Sequence, residues 1–226
     1  MRKLVLAHPK RLKCIHSAVS AFSLAEVLIT LGIIGVVSAI TIPTLMNSTR
    51  DAELKTAWKK QYSEMAQVVS RMAMDNGGNL KGLFTGDSNV TRDLFKPYLS
   101  YIKECDAGAS NGHCWASSYK RLDGTNPDWG NFSGLILKNG ASLMFETNNG
   151  LYPNCDWVIT PNLSICGYIP VDVNGPNKKP NIVGKDIFSI WLLEDRILPE
   201  GTVQDGRDTC KTTESGAGCS AKYLYE

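Results

Sequence analysis

Two successive patterns of hydrophobic residues occupy the first third of the chain. The segment from Phe22 to Ile42 is 21 residues long and almost continuously apolar, with Glu26 as its one charged side chain. At the rise of an α-helix this segment measures about 31 Å, which matches the hydrocarbon core of a bilayer. The pattern therefore predicts a membrane-spanning helix over residues 22–43.

A second pattern follows Pro43, which is expected to kink or interrupt the helix because proline removes a backbone hydrogen-bond donor. Apolar side chains then recur at helical spacing, and charged side chains occupy the other faces. Asn76, Gly77 and Gly78 form a stop signal. We therefore predict one long helix over residues 22–76, whose second half packs an apolar stripe on a folded domain. The stripe contains Leu54, Trp58, Met65, Val69 and Met72.

The remaining residues, 77–226, carry the signals of a mixed globular domain. Residues 91–103 predict a short helix that is interrupted at Pro97, and residues 105–131 read as a long loop. Two apolar runs joined by Asn139 and Gly140 predict a β-hairpin. Further strands are predicted within 163–173 and 187–193, which are rich in β-branched and aromatic residues. We therefore predict an α+β fold in which a small antiparallel sheet packs on the long helix.

Charge is distributed unevenly between the beginning of the chain and the rest. Residues 1–21 contain five basic residues and no acidic one, so the remainder has 24 − 5 = 19 basic residues against 22 acidic ones. A basic segment in front of an apolar helix favours retention of that end on the cytoplasmic side. The negative balance of the remainder gives no bulk-charge reason to expect a nucleic-acid partner.

Six of the seven cysteines lie after residue 21 and fall into three close couples. An even set of this kind is typical of an oxidising compartment. Six cysteines allow many connectivities, so pairing within each couple is a hypothesis. Free thiols or a metal cluster are the alternatives, but no Cys-x-x-Cys occurs and His113 is the one histidine beyond the first 21 residues. The couples are Cys105 with Cys114, Cys155 with Cys166, and Cys210 with Cys219.

The boundary at Ala21 resembles a cleavage site because Val19, Ser20 and Ala21 are small. A cut there keeps the apolar helix and creates a new amino terminus at Phe22. The Phe22 amine and the Glu26 carboxylate could then pair within one helix, or between staggered helices of neighbouring subunits. In a simple membrane anchor, Glu26 would instead reach the lipid headgroups. An unpartnered carboxylate within lipid costs on the order of 3 kcal/mol.

These residues resemble the amino-terminal signature of the type IV prepilins and type II secretion pseudopilins. Phe22 after the cut, Glu26 at the fifth mature position and Pro43 near the end of the span match the family pattern, whereas Ala21 stands where glycine is usual. The resemblance implies a pilin-like fold and cleavage between Ala21 and Phe22 by a prepilin peptidase. It also implies methylation of the Phe22 amine and a filament built on packed amino-terminal helices.

The resemblance further implies a single-pass precursor in the inner membrane, with an extracytoplasmic carboxy-terminal domain. Other pilin or pseudopilin subunits would be its partners through the amino-terminal helix. The alternatives are a minor pilin or tip adhesin, a DNA-uptake subunit, and a membrane-anchored enzyme. The sequence contains neither a glycine-rich phosphate loop nor a Gly-x-Ser-x-Gly motif, and His113 is the one histidine beyond the leader. It therefore offers little support for catalysis. We therefore predict a non-enzymatic subunit without catalytic residues.

Residues 171–188 contain one candidate site for a cofactor, a calcium ion. The spacing Asp-x-Asn-Gly at 172–175 resembles the opening of a calcium loop, but the bidentate glutamate of an EF-hand is missing. From the sequence alone we favour the alternative, a turn in which asparagine and aspartate side chains bond the nearby backbone. The predicted ligands of the calcium hypothesis are Asp172, Asn174, Asn181 and Asp186.

Overall fold

The computed structural model describes residues 23–84, 86–127, 129, 132–145, 154–160, 163–203 and 210–226. These residues have an α+β architecture, with one long amino-terminal helix and an antiparallel sheet. The chain divides into two compact units, Met1–Met46 and Asn47–Glu226. The second unit thus begins within the long helix, earlier than the boundary at residue 77 that the sequence suggested.

Three α-helices and eight strands are present in the described residues. The helices are α1 (Leu24–Asp75), α2 (Ser88–Phe95) and α3 (Cys219–Tyr225). The strands are β1 (Tyr101–Cys105), β2 (Ser133–Leu137), β3 (Ser142–Phe145), β4 (Trp157–Thr160), β5 (Leu163–Ile165), β6 (Gly167–Asp172), β7 (Ile187–Leu192) and β8 (Ile197–Pro199). Six strands form an antiparallel sheet in the order β1-β2-β3-β6-β7-β8, and β4 pairs with β5 in a separate two-stranded sheet.

The second half of α1 buries the apolar stripe that the sequence predicts. Trp58, Met65 and Val69 are completely buried, and Leu54 and Met72 are nearly so. The helix ends at Asp75, where the Gly78 N–H donates to the carbonyl of Ala73 at 2.8 Å and Gly77 has a φ of 78°. This left-handed glycine after the last turn is the usual stop of a helix.

Proline 43 does not interrupt α1, which contradicts one of the two outcomes expected from the sequence. The helix runs from Leu24 to Asp75 with Pro43 inside it. One proline removes a single helical hydrogen bond, and the turns on both sides keep theirs. The hydroxyls of Thr41 and Thr44 also donate to the carbonyls of Val37 and Ile40, so the backbone around the proline carries additional bonds.

The predicted hairpin is present, and the other strand predictions are refined. Asn139 and Gly140 connect β2 to β3, with Gly140 in the left-handed region at a φ of 91°. The segment 187–193 contains β7. The segment 163–173 contains two strands, β5 and β6, because the chain changes sheets at Cys166.

The prediction of a helix over residues 91–103 is wrong for the second half of that segment. The α-helix runs over Ser88–Phe95, a 3-10 turn covers Lys96–Tyr98, and β1 follows. Pro97 leaves a carbonyl without its helical partner, and here the α-helix ends before the proline. The backbone beyond Ser100 pairs instead with β2, a contact between residues distant in sequence.

The largest part of the core lies between the second half of α1 and the main sheet. Trp58 stacks on Phe188 of β7 with ring centroids 4.8 Å apart, and its Nε1 donates to the carbonyl of Ser220 at 2.9 Å. A second cluster surrounds Trp191, and a third surrounds Trp115, which is 1% exposed. The tryptophans of the described loops therefore cover local cores.

Three disulfides join the cysteines in the couples that the sequence suggests. Cys105 bonds Cys114, Cys155 bonds Cys166, and Cys210 bonds Cys219, over separations of 9, 11 and 9 residues. Closing loops of this length stabilises a fold by roughly 3 kcal/mol each in the chain-entropy model.

Candidate functional site

The amino-terminal part of α1 exposes apolar side chains around its whole circumference. A helix that is apolar on all faces requires lipid or other protein around it. Among the described residues, α1 is the one helix long and apolar enough to cross a membrane. The exposed apolar side chains include Leu24, Leu28, Ile29, Leu31, Ile33, Ile34, Val36, Val37, Ile40, Ile42, Leu45 and Met46.

The single carboxylate of this segment, Glu26, forms a capping box with Ser23 at the start of α1. Glu26 Oε2 accepts hydrogen bonds from the backbone N–H of Ser23 at 2.8 Å and from its hydroxyl at 2.9 Å. In return, the Glu26 backbone N–H donates to Ser23 Oγ at 3.2 Å. This reciprocal arrangement satisfies free donors of the first turn. It holds the carboxylate at the positive end of the helix, where a negative charge is favourable.

Ser23 is a hydrogen-bond partner of Glu26 that the sequence interpretation missed, although its signal is present. Ser-x-x-Glu before an apolar run is the usual capping-box pattern, and residues 23–26 have it. Ala21 and Phe22 lie outside the described residues. Cleavage between them, methylation of the Phe22 amine and its pairing with Glu26 therefore stay predictions.

A second candidate site lies in the connection between β6 and β7, which brings together all four residues of the calcium hypothesis. Asp172 Oδ1 accepts the backbone N–H groups of Asn174 at 3.1 Å and Gly175 at 2.9 Å. Asp186 Oδ1 accepts from the Ile182 N–H at 2.7 Å, and its Oδ2 accepts from the Asn181 N–H at 2.8 Å. These are the side chain–backbone bonds that the turn alternative predicts.

The amide of Asn174 ties the two ends of this connection together. Its Nδ2 donates to Asp186 Oδ2 at 3.3 Å and to the carbonyl of Lys179 at 3.2 Å. Asn174 and Asn181 thus both donate to the same carboxylate oxygen of Asp186. The four residues form one compact cluster.

Both carboxyl groups of the cluster are fully shielded from solvent, with 0% exposure. Burial, with a smaller contribution from the charge of Asp186, raises the pKa of Asp172 to about 7. The backbone donors of Gly175 and Asn174 and the charge of Lys178 oppose this rise. Burial also raises the pKa of Asp186, against the backbone donors of Ile182 and Asn181. Two buried acids that lie close together disfavour their doubly ionised form.

A separate buried polar cluster links strands of the main sheet to α3. The Tyr168 hydroxyl lies 2.8 Å from Ser189 Oγ and donates to Glu200 Oε2 at 3.0 Å. The Ser189 N–H donates to Ser220 Oγ at 2.9 Å. These bonds connect β6, β7, the end of β8 and α3. Within the described part of the chain, no group of three or more His, Cys, Asp or Glu side chains is placed to hold a metal.

Comparison with protein-family models, with curated proteins and with solved structures finds no match to this chain. Its function is therefore inferred from its own residues and their geometry.

Proposed function

We propose that this chain is a prepilin-like structural subunit, processed at its amino terminus and assembled into a type IV pilus or a type II secretion pseudopilus. The observation that carries the proposal is an apolar helix whose described side chains are exposed, with one carboxylate fixed in its first turn. In this proposal, the fold is pilin-like: α1 anchors the precursor and then packs with its counterparts in the filament. The domain after it forms the surface.

Glu26 distinguishes an assembling subunit from a simple anchor. An anchor requires apolar residues, and a carboxylate within its span is unfavourable. The capping box gives Glu26 hydrogen bonds but no opposite charge, and among the described residues no Lys or Arg pairs with it. The new amine of Phe22 on a neighbouring subunit supplies that charge. The pairing then removes two opposite charges from the apolar surroundings together.

The middle of the apolar segment favours close packing between helices. Gly32 and Gly35 are neighbours one turn apart on the surface of α1, and so are Gly35 and Ser38. A Cβ atom placed on Gly32 or Gly35 meets no other atom within 4 Å, so the helix backbone is open there. Small residues of this kind allow neighbouring helices in an apolar medium to approach closely.

The remaining features agree with a precursor that crosses the inner membrane once and exposes its carboxy-terminal domain outside the cytoplasm. The basic residues of 1–21 favour a cytoplasmic amino terminus. The three disulfides favour an oxidising compartment for the domain. The partners in this proposal are a prepilin peptidase, other subunits of the filament and the membrane.

Immunoelectron microscopy of filaments tests this function. An antibody against residues 77–226 should label filaments sheared from the cell surface or isolated from the periplasm, along their length. A matched antibody against residues 1–21 should label the membrane precursor but not the filaments, because the leader is removed before assembly. Label from the first antibody that stays uniformly in the membrane, with no filament decorated, would contradict assembly.

A further inference from the structure

Basic side chains are concentrated in five stretches of the second unit, Asn47–Glu226. These stretches contain eleven basic and seven acidic residues, and two of the acids, Asp172 and Asp186, are fully buried. The other described residues after Met46 contain seven basic and ten acidic ones. The surface charge of the unit is therefore uneven. The stretches are 50–60, 120–123, 172–186, 211–214 and 222–226.

The five stretches meet around one cavity, and we call them together the basic surface. The Lys120 N–H donates to the carbonyl of Asn181 at 3.0 Å, and Lys55 Nζ lies 3.4 Å from Glu226 Oε2. Every stretch contributes to the walls of the cavity. The lining includes Asp51, Lys55, Leu122, Lys185, Thr212 and Tyr223.

Most basic side chains of this surface are not neutralised within the chain. Glu226 pairs with Lys55 and Lys222, and Glu214 pairs with Lys211. Six other basic side chains are exposed and form no ion pair with the described residues, whereas only three exposed acids of the same stretches are left without one. The six are Arg50, Lys59, Lys120, Lys178, Lys179 and Lys185, and the three acids are Asp51, Glu53 and Asp123.

The basic surface is tethered close to the apolar segment. Arg50 follows Met46, which ends the run of exposed apolar side chains, by four residues. Even a fully extended chain covers at most about 14 Å over that distance. In a bilayer, the lipid phosphates lie roughly 5–8 Å outside the hydrocarbon core. The Cα–Cβ bonds of Arg50 and Lys59 also tilt toward the amino-terminal end of α1, as in any α-helix.

A cluster of basic side chains beside a membrane span is a feature of surfaces that contact anionic phospholipid. The phosphate groups supply the negative charges that the chain itself does not. Because the span already holds the surface beside the bilayer, the contact forms within one assembly and needs little affinity of its own.

We propose that the basic surface contacts the headgroups of anionic phospholipids while the precursor is anchored in the membrane. The inference rests on the membrane anchor of the proposed function and not on filament assembly. The lysines act as point charges on phosphate oxygens, so the contact weakens with salt. It holds the folded domain against the membrane before assembly, and extraction into a filament must break it.

The test is acetylation of lysines in the full chain held in lipid nanodiscs, with each site quantified by mass spectrometry. Discs of phosphatidylcholine with about 30% phosphatidylglycerol should slow the acetylation of Lys120, Lys178, Lys179 and Lys185 about three- to five-fold, relative to discs of phosphatidylcholine alone. Raising NaCl to about 0.5 M should remove most of this protection. Inorganic phosphate added to the neutral discs should not reproduce it.

Lys103 of β1 is exposed and lies outside the basic surface, so it serves as the internal control and should react equally in both lipids. Lys178→Glu combined with Lys179→Glu should restore the acetylation of Lys120 and Lys185 in the anionic discs. The matched variant Lys103→Glu should leave their protection unchanged.

The outcomes separate this contact from the anchor. Equal acetylation in both lipids, in a chain that co-purifies with the discs, would overturn the contact and leave the anchor intact. The same holds for protection that inorganic phosphate alone reproduces, since the lysines would then bind a free anion. A chain that does not co-purify with the discs would contradict the anchor and the contact together.

Discussion

Replacing Glu26 by alanine is expected to reduce the yield of assembled filament at least ten-fold, while the subunit still folds and inserts in the membrane. The carboxylate pairs with the Phe22 amine of a neighbouring subunit, so its removal leaves a positive charge without a partner in an apolar surrounding. Removing one partner of a buried ion pair costs roughly 3–5 kcal/mol. The measurement is the amount of sedimentable filament relative to total subunit, both read by immunoblot.

The capping box provides controls that separate charge from helix capping. Glu26→Gln keeps the hydrogen bond to Ser23, since glutamine serves at this position of a capping box, but it removes the charge. We expect it to fail in assembly like the alanine variant. Ser23→Ala removes the capping hydroxyl and keeps the charge, so its filament yield should stay near that of the wild type. Normal assembly of Glu26→Gln would show that Glu26 serves a simple anchor.

Replacing Trp58 by alanine is expected to lower the free energy of unfolding by about 3–5 kcal/mol. Trp58 is 0% exposed, stacks on Phe188 and donates to the carbonyl of Ser220. Its loss removes buried apolar contact and one hydrogen bond to that carbonyl. Chemical unfolding of the full chain in detergent, followed by circular dichroism, measures the change.

Two further variants make the Trp58 result specific. Trp58→Phe keeps an aromatic ring against Phe188 but loses the Nε1 donor, so we expect a smaller loss of about 1–3 kcal/mol. The Met74 side chain lies on the same helix and is 75% exposed. Met74→Ala should therefore change the free energy of unfolding by less than about 0.5 kcal/mol. Equal effects of Trp58→Ala and Met74→Ala would contradict the packing of the second half of α1 on the sheet.

Local signals in the sequence predicted the parts of the fold that depend on neighbouring residues. The helical stripe from Leu54 to Met72 and the turn at Asn139 and Gly140 are such cases, because periodicity and turn chemistry act over a few positions. The strand β1 was missed, since residues 101–105 become a strand by pairing with β2 about 30 positions later. Very short strands such as β8 carry no periodic pattern at all.

The candidate sites were predictable to different degrees for the same reason. Glu26 stands out because a carboxylate in an apolar run is conspicuous, and its partner Ser23 follows from a local motif. The cluster of Asp172 and Asp186 could be suspected from its oxygen-rich composition. The connection that holds them packs against the hairpin tip and against residues 216–219, which are distant in sequence. Only the folded chain reveals that detail.

Mass spectrometry of the amino terminus, on subunit purified from membranes or filaments, tests the central claim most directly. Processing as a prepilin predicts a chain that begins at Phe22 and carries one methyl group on its amine, with the apolar part of α1 intact. The sequence up to Ala21 should be absent from the assembled form. A mature chain that still begins at Met1, or one that begins beyond residue 40 and has lost the apolar helix, would contradict the account.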